Sequence, residues 1–339
     1  MATTETNTDT STGAETATIA TGSATMQPVD EFVVPQGVKQ KRKSPWGIFR
    51  EMPLLVKIGT IWLFFVLFAA IYAQLDARVF NGSLPLADPN LQLNGFNAAT
   101  GEFGTRTALE PPSWDHPLGT DALARDTFSR AMHGAYVSVT VAIVSVVCGV
   151  IVGGLLGSLV GYVRGKTETV LMAMIDVLLA FPALVLLLAL ISIFEVRDLF
   201  VISFVIGLLS IPAYTRVSRA NSLAISNREF VLAAQAIGTK RWTILRREII
   251  PNVLPTLLAY AMVAAAAVVV VEGSLSFLGL SVQLPTSSWG NMINQARRDI
   301  KVNFGQILYP SLILTFTVLA LNQVGDFFQR RSAFRGSSL

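Results

Sequence analysis

Two histidines, His116 and His133, a lone Cys148 and three acids in apolar surroundings, Asp176, Glu272 and Asp326, are the side chains of this chain most suited to chemistry. Asp115, His116, Asp121 and Asp126 assemble acids around one His. With no second His at ligand spacing, they read as a solvated face and helix caps rather than a metal centre. Cys148 lies inside an apolar run and has no partner thiol, so it reads as a packing residue, and an internal disulfide is excluded. The stretch Gly161-Tyr-Val-Arg-Gly165-Lys166-Thr167 contains the residue types of a phosphate loop. That loop, however, needs four residues between its glycines and a strand before them, and neither condition is met. No Ser-His-acid or Cys-His arrangement occurs in a workable setting. Charged groups in a bilayer are costly and mark proton or cation paths by default. Glu272 and Asp326 lie near the ends of apolar runs and read as solvated termini. Asp176 lies about two helical turns inside, and two roles stand for it: a structural pair with Arg216 or Arg219, or a gating place on an ion path. No catalytic residue, metal ligand or bound cofactor is assigned to the chain.

The elements that hold these residues are apolar. Hydrophobic residues make up 52% and charged residues 14% of the 339 positions, and mean hydropathy is +0.55. That balance places most of the chain in lipid and argues against a soluble enzyme. The net charge of +4 reflects membrane topology here, and no nucleic-acid partner is expected. Residues 1–45, rich in Thr, Ala, Ser and Gly, read as a disordered cytoplasmic tail ending in Lys39, Lys41, Arg42 and Lys43. A first transmembrane helix is expected over 58–74, an extracytoplasmic segment over 75–133, a five-helix membrane domain over 134–327, and a short cytoplasmic tail over 328–339. Within 75–133, the spacing of Leu118, Ala122, Leu123, Thr127, Phe128 and Ala131 predicts an amphipathic helix, with Asp121 available to cap it. The five further spans fall at Ala135–Tyr162, Met172–Phe194, Phe200–Tyr214, Val253–Val271 and Ile307–Phe327. Trp289, beyond the fifth, suits an outer interface.

Two local features stand out within this frame. Gly149, Gly153, Gly157 and Gly161 recur at four-residue spacing and form a flat ridge for close helix packing, in this subunit or against a partner. The second is a polar, basic interval from Arg228 to Pro255, flanked by apolar runs. Small residues Ala233, Ala234 and Ala236 lead to Gly238; a second helical run then carries Lys240, Arg241, Arg246 and Arg247 up to Pro251 and Pro255. The pattern predicts helix, glycine turn, helix, a compact knob outside the bilayer.

This knob resembles the coupling loop of ABC importer membrane subunits, whose pattern is Glu-Ala-Ala, three residues, Gly and, about a dozen residues later, Pro. Ala233, Ala234, Gly238 and Pro251 are in register, while Leu232 occupies the acidic position and Glu229 stands one turn earlier. Three other stretches resemble the same proteins in the same order: Leu118 to Asp121, DVLLAFP from Asp176 to Pro182, and SFLGLSVQLPTSSWGNMI from Ser276 to Ile293. Together they resemble the C-type permease of the dipeptide, oligopeptide and nickel ABC importer family. The resemblance implies an all-α integral membrane protein with six transmembrane helices, the type I ABC importer transmembrane domain. It implies a second homologous permease subunit, two cytoplasmic ATPases that use ATP and Mg, and an extracytoplasmic solute-binding protein. It also implies import, of short peptides first and of nickel or another small solute second. Glu229, Ala233, Ala234, Ala236, Gly238, Lys240, Arg241 and Pro251 become the coupling set. An ordinary helix-turn-helix between spans is the plainer alternative for the loop. An ATP-independent secondary transporter and a membrane enzyme are the rivals for the whole, but the first calls for midplane charges and the second for a catalytic pair.

The charge distribution orients such a bundle. With the N and C termini cytoplasmic, the larger share of the 26 Lys and Arg residues falls inside, including Arg164, Lys166, Arg216 to Arg247, and Arg330 to Arg335. This positive-inside bias places the knob in the cytoplasm of a multi-pass cell-membrane protein.

Overall fold

The computed structural model describes residues 45–79, 88–92, 96–97, 102–103, 108–194 and 198–337. The expected tail, with its basic cluster Lys39 to Lys43, lies outside these residues except for its last position. Short α1 (Pro45–Glu51) precedes α2 (Leu54–Arg78), the first long helix. A two-stranded ribbon of β1 (Phe96–Asn97) and β2 (Glu102–Phe103) follows, antiparallel, with Phe96 opposite Phe103. The second long helix is α3 (Thr127–Cys148), a π-helical turn at Gly149–Gly153, and α4 (Gly154–Val163). Beyond it come α5 (Lys166–Ala180), α6 (Ala183–Phe194), α7 (Leu199–Ser226) and α8 (Glu229–Ala236). Then α9 (Arg241–Ile244), a second π turn at Leu245–Ile249 and α10 (Ile250–Phe277) form one rod. Last are α11 (Trp289–Ala296) and α12 (Gly305–Ser337).

Five of these helices are long and apolar enough to cross a bilayer: Leu54–Asp76, Thr127–Val163, Leu199–Ser226, Arg241–Phe277 and Gly305–Arg331. The remaining expected span, Met172–Phe194, differs from a plain helix. Lys166–Ala180 and Ala183–Ile193 meet at an angle of 84°. The cause is local: Pro182 has no N–H to give an i−4 carbonyl and forces Phe181 into extended backbone (φ −85°, ψ 137°). The pair counts as the sixth crossing when taken as one broken span. No helix covers 118–126, against the amphipathic helix expected there. Asp121 instead accepts from the Leu123 and Arg125 amides, and the helix begins at Thr127, capped by Asp126, whose carboxylate accepts from the Ser129 amide at 2.6 Å.

Packing follows side-chain size. The glycine ridge of α3 and α4 lies against α7 of the same chain. A methyl on Gly153 would come within 2.7 Å of the Ile211 carbonyl oxygen, and one on Gly161 within 2.6 Å of that of Arg219. Serines bond across the contact that the glycines permit. Ser218 Oγ donates to the Gly154 carbonyl at 2.7 Å, Ser222 Oγ to that of Ser158 at 2.9 Å, and Ser145 Oγ to that of Ser203 at 2.9 Å. Larger side chains fill the rest, with Val137, Val141, Ile191, Ile202, Val268 and Leu275 forming one buried cluster. Long apolar stretches of α2, α5 and α6 stay exposed, as lipid-facing surfaces do.

Candidate functional site

The basic loop is built at one end of the bundle, where α7 stops and the α9–α10 rod begins. Its first helix, α8, ends in a paired closure: the Thr239 amide donates to the Ala234 carbonyl and the Gly238 amide to that of Gln235, both at 3.0 Å. This is the Schellman arrangement, and it requires a left-handed residue. Gly238 supplies it at φ +79°, with open space where a Cβ would stand. The glycine is therefore there for its backbone rather than for lack of room.

Two faces of the loop divide by burial. Val231 of α8 is fully buried beside Ile244, Leu245 and Ile249 of the rod, and Tyr214, Val253 and Leu257 continue the same cluster into the bundle. These residues seat the loop on the spans. The outward face is apolar too: Ile237 is 82% and Trp242 65% exposed, with Phe230, Leu232, Ala233 and Ala236 also exposed. Glu229, Lys240, Arg241, Arg246 and Arg247 of the same loop are exposed as well. Ala234 is half-buried on the inner side of α8, packed against the same cluster. Pro251 and Pro255 do not end the helix: the rod passes through both, Pro251 coming just after the π turn at Leu245–Ile249. Arg164, beyond α4, ties in the neighbouring turn, donating to Ser226 Oγ at 2.9 Å and to Asn227 Oδ1 at 3.0 Å.

The other expected site residues lie apart from this loop. Gly149, Gly153, Gly157 and Gly161 run up the α7 contact. Asp176 pairs with Arg216 at 2.5 Å with both side chains half-exposed. Arg219, the alternative partner, instead bonds Glu168 through Nε at 2.7 Å, so α5 is tied twice to α7. The Gly161 to Thr167 stretch is a turn between two helices, opened by Arg164 at φ 57° and Gly165 at φ 76°.

Three readings from sequence are corrected. Glu272 is not a solvated terminus but is fully buried. Its carboxylate accepts from Ser276 Oγ at 2.6 Å, Ser138 Oγ at 3.3 Å and Ser281 Oγ at 3.4 Å, and Ser288 Oγ donates on to Ser276. The serines that crowd its sequence neighbourhood were the available signal. Trp289 is buried rather than interfacial, its Nε1 donating to the Ala131 carbonyl at 2.9 Å. His116 and Asp126 form a buried pair at 2.5 Å rather than a solvated face. Among the described residues, no three or more His, Cys, Asp or Glu side chains gather closely enough to hold a metal ion.

A helical bundle with five helices, or six with the bent pair, long and apolar enough to cross a bilayer, and a loop seated on it through buried side chains, is the architecture of a multi-pass membrane protein. The chain belongs to the family of binding-protein-dependent transport system inner membrane components, whose model matches residues 153–336. It is similar to the glutathione transport system permease protein GsiD of Pectobacterium atrosepticum, 37% identical over 217 residues, covering 64% of this chain and 72% of the relative. The proteins of the same name from Escherichia coli O6:K15:H31 and Shigella boydii serotype 4 are also 37% identical, over 215 residues, 63% of this chain and 71% of each relative. As an ABC-type permease the chain is non-catalytic, and ATP with its Mg is used by a separate ATPase partner.

Proposed function

We propose that this chain forms one half of the pathway of an ATP-driven importer of short peptides, gripped by an ATPase at the Arg228–Pro251 loop. The carrying observation is the loop itself, an exposed apolar patch around Ile237 and Trp242 mounted on a buried footing. An exposed apolar surface of that kind, with exposed basic residues on the same loop, fits a protein partner. Closure of the ATPases moves the loop as a rigid body, and the two spans fused to it, α7 and the α9–α10 rod, tilt together. Ala233, Ala236 and the Gly238 turn provide close approach, and Lys240 and Arg241 meet acidic partner surfaces or anionic lipid.

A second homologous permease completes the pathway, two cytoplasmic ATPases drive it, and an extracytoplasmic solute-binding protein delivers cargo. Positive-inside charge supports placing the loop and both termini in the cytoplasm. The peptide assignment is supported by relatives named for glutathione, itself a short peptide. The test is ATP-dependent uptake by the co-purified assembly in liposomes, with di- and tripeptides and nickel as competing cargo. Peptide uptake supports the reading; uptake of nickel alone replaces its substrate.

A further inference from the structure

Packing at small residues fixes which helix ends meet. Gly273 lies against Leu314 and Gly325 against Met262, so α12 runs antiparallel to α10. Gly59 lies against Ala320, and Trp62 Nε1 donates to Thr317 Oγ1 at 3.0 Å, so α2 runs antiparallel to α12. The start of α2, with α1 before it, and the end of α12 therefore stand at the loop end of the bundle. There α1, α2, α10 and α12 enclose an apolar groove of about 650 Å³. Buried Met52 and Val324 line its floor, while Phe64, 67% exposed, and Trp46, 70% exposed, line its open side.

The groove has the polarity of an amphiphile. Thr60 supplies a hydroxyl to the lining, but its Oγ1 already donates to the Val56 carbonyl at 2.7 Å. A polar solute therefore finds little to bond in a wall of Ile, Leu, Met and Phe side chains. The mouth is basic. Glu51 takes Arg331 at 3.3 Å and Asp326 stands one turn before Arg330, whereas Arg50 is exposed and Lys57 half-buried. The apolar stretch of α2 begins at Leu54 and that of α12 ends at Arg331, so these charges lie where the hydrocarbon begins. From Lys57 to Leu67, at the far end of the α2 lining, the helix rises about 15 Å, half of the ~30 Å hydrocarbon core. The groove thus spans one leaflet, apolar inward and cationic at the surface.

We propose that this groove holds an anionic phospholipid of the leaflet at the loop end. One acyl chain lies along α2 against Met262, and the phosphate diester meets the positive surplus of Arg50, Lys57 and Arg330. A zwitterionic lipid fits the same walls but leaves that surplus unanswered. The inference stands apart from the importer reading, and its test does not depend on transport.

The experiment reconstitutes the full chain, with its partner subunits, in phosphatidylcholine vesicles. These carry a trace of phosphatidylglycerol or of phosphatidylcholine, each with a photoreactive diazirine on one acyl chain. Mass spectrometry then locates the adducts. Phosphatidylglycerol is expected to label Ile61, Phe64, Leu67 or Met262 about fivefold or more above phosphatidylcholine, the factor given by the ~1 kcal/mol of one basic residue near an anionic surface. At lipid-labelled sites elsewhere on the chain, the two reagents are expected to label alike. Arg50→Gln with Lys57→Gln should bring the ratio in the groove close to one. Equal labelling of the groove by the two lipids overturns the proposal, as does a preference spread evenly over every labelled site or one that survives removal of both cations. Groove residues that take no lipid label, because a partner subunit or another segment of the chain covers them, overturn it too. Should the double variant fail to assemble, competition in the intact chain decides. Displacement of the groove label by unlabelled phosphatidylglycerol alone supports the proposal, and equal displacement by added phosphatidylcholine overturns it.

Discussion

Gly238 separates backbone need from packing need, because its positive φ sits in open space. Ala there strains the left-handed turn by about 1 kcal/mol, whereas Pro also removes the amide that donates to Gln235. Gly238→Pro is therefore expected to leave the chain inserted and paired with its second permease while lowering substrate-stimulated ATPase activity and uptake together. Unchanged uptake in that variant would remove the loop from coupling. Gly157 is the opposite case, since a side chain there meets the Thr215 carbonyl and Ser218 of α7. Gly157→Leu is expected to cost 3 kcal/mol or more, roughly the upper range for overpacking, and to appear as loss of folded protein in detergent. Both glycines were visible in the sequence, one by its place after three alanines, the other by its four-residue spacing. Glu272 was not readable in the same way. Its nearness to the span end suggested water, and only the fold brings Ser138 from another helix to meet it. Glu272→Leu takes the acceptor from buried serine hydroxyls, at about 1–3 kcal/mol for each one stranded, whereas Glu272→Gln keeps an acceptor oxygen. Thermal denaturation in detergent should show the Leu variant well below the Gln variant.

At the scale of elements, apolar runs foretold the long helices but not their joints. Hydropathy carries no record of an angle, so the 84° bend at Pro182 was legible only as a proline in an apolar run. The fusion of α9 to α10 was missed for the converse reason: Pro251 and Pro255 look like terminators, yet the rod runs on through both, with a π turn at Leu245–Ile249 interrupting the regular ladder just before Pro251. That fusion matters, because it gives the loop a rigid lever into the membrane. The broken α5–α6 pair is tied to α7 by Asp176 with Arg216 and Glu168 with Arg219. A structural role for Asp176 and a place on an ion path lead to different results here. Asp176→Arg and Arg216→Asp should each lower uptake, and the double exchange should restore it if the pair only holds helices together. Absence of rescue, with normal assembly, would favour a role for the carboxylate itself.

For the whole molecule, the glycine and serine seam, the twice-tied broken pair and the α9–α10 rod set the loop at one end of a packed bundle. The loop was legible because its residues are contiguous. The serine shell of Glu272 was not, because Ser138 and Ser281 reach it from other parts of the chain. The central claim is that an ATPase grips the loop through its apolar patch. It is tested most directly by affinity purification of the tagged chain from mild detergent, intact and as Ile237→Asp with Trp242→Asp, with mass spectrometry of what accompanies each. The account predicts that two ATPases and a second permease accompany the intact chain, and that the variant keeps the permease and loses the ATPases. Full retention of the ATPases by the variant would contradict it, as would a chain that purifies alone and transports in liposomes without ATP.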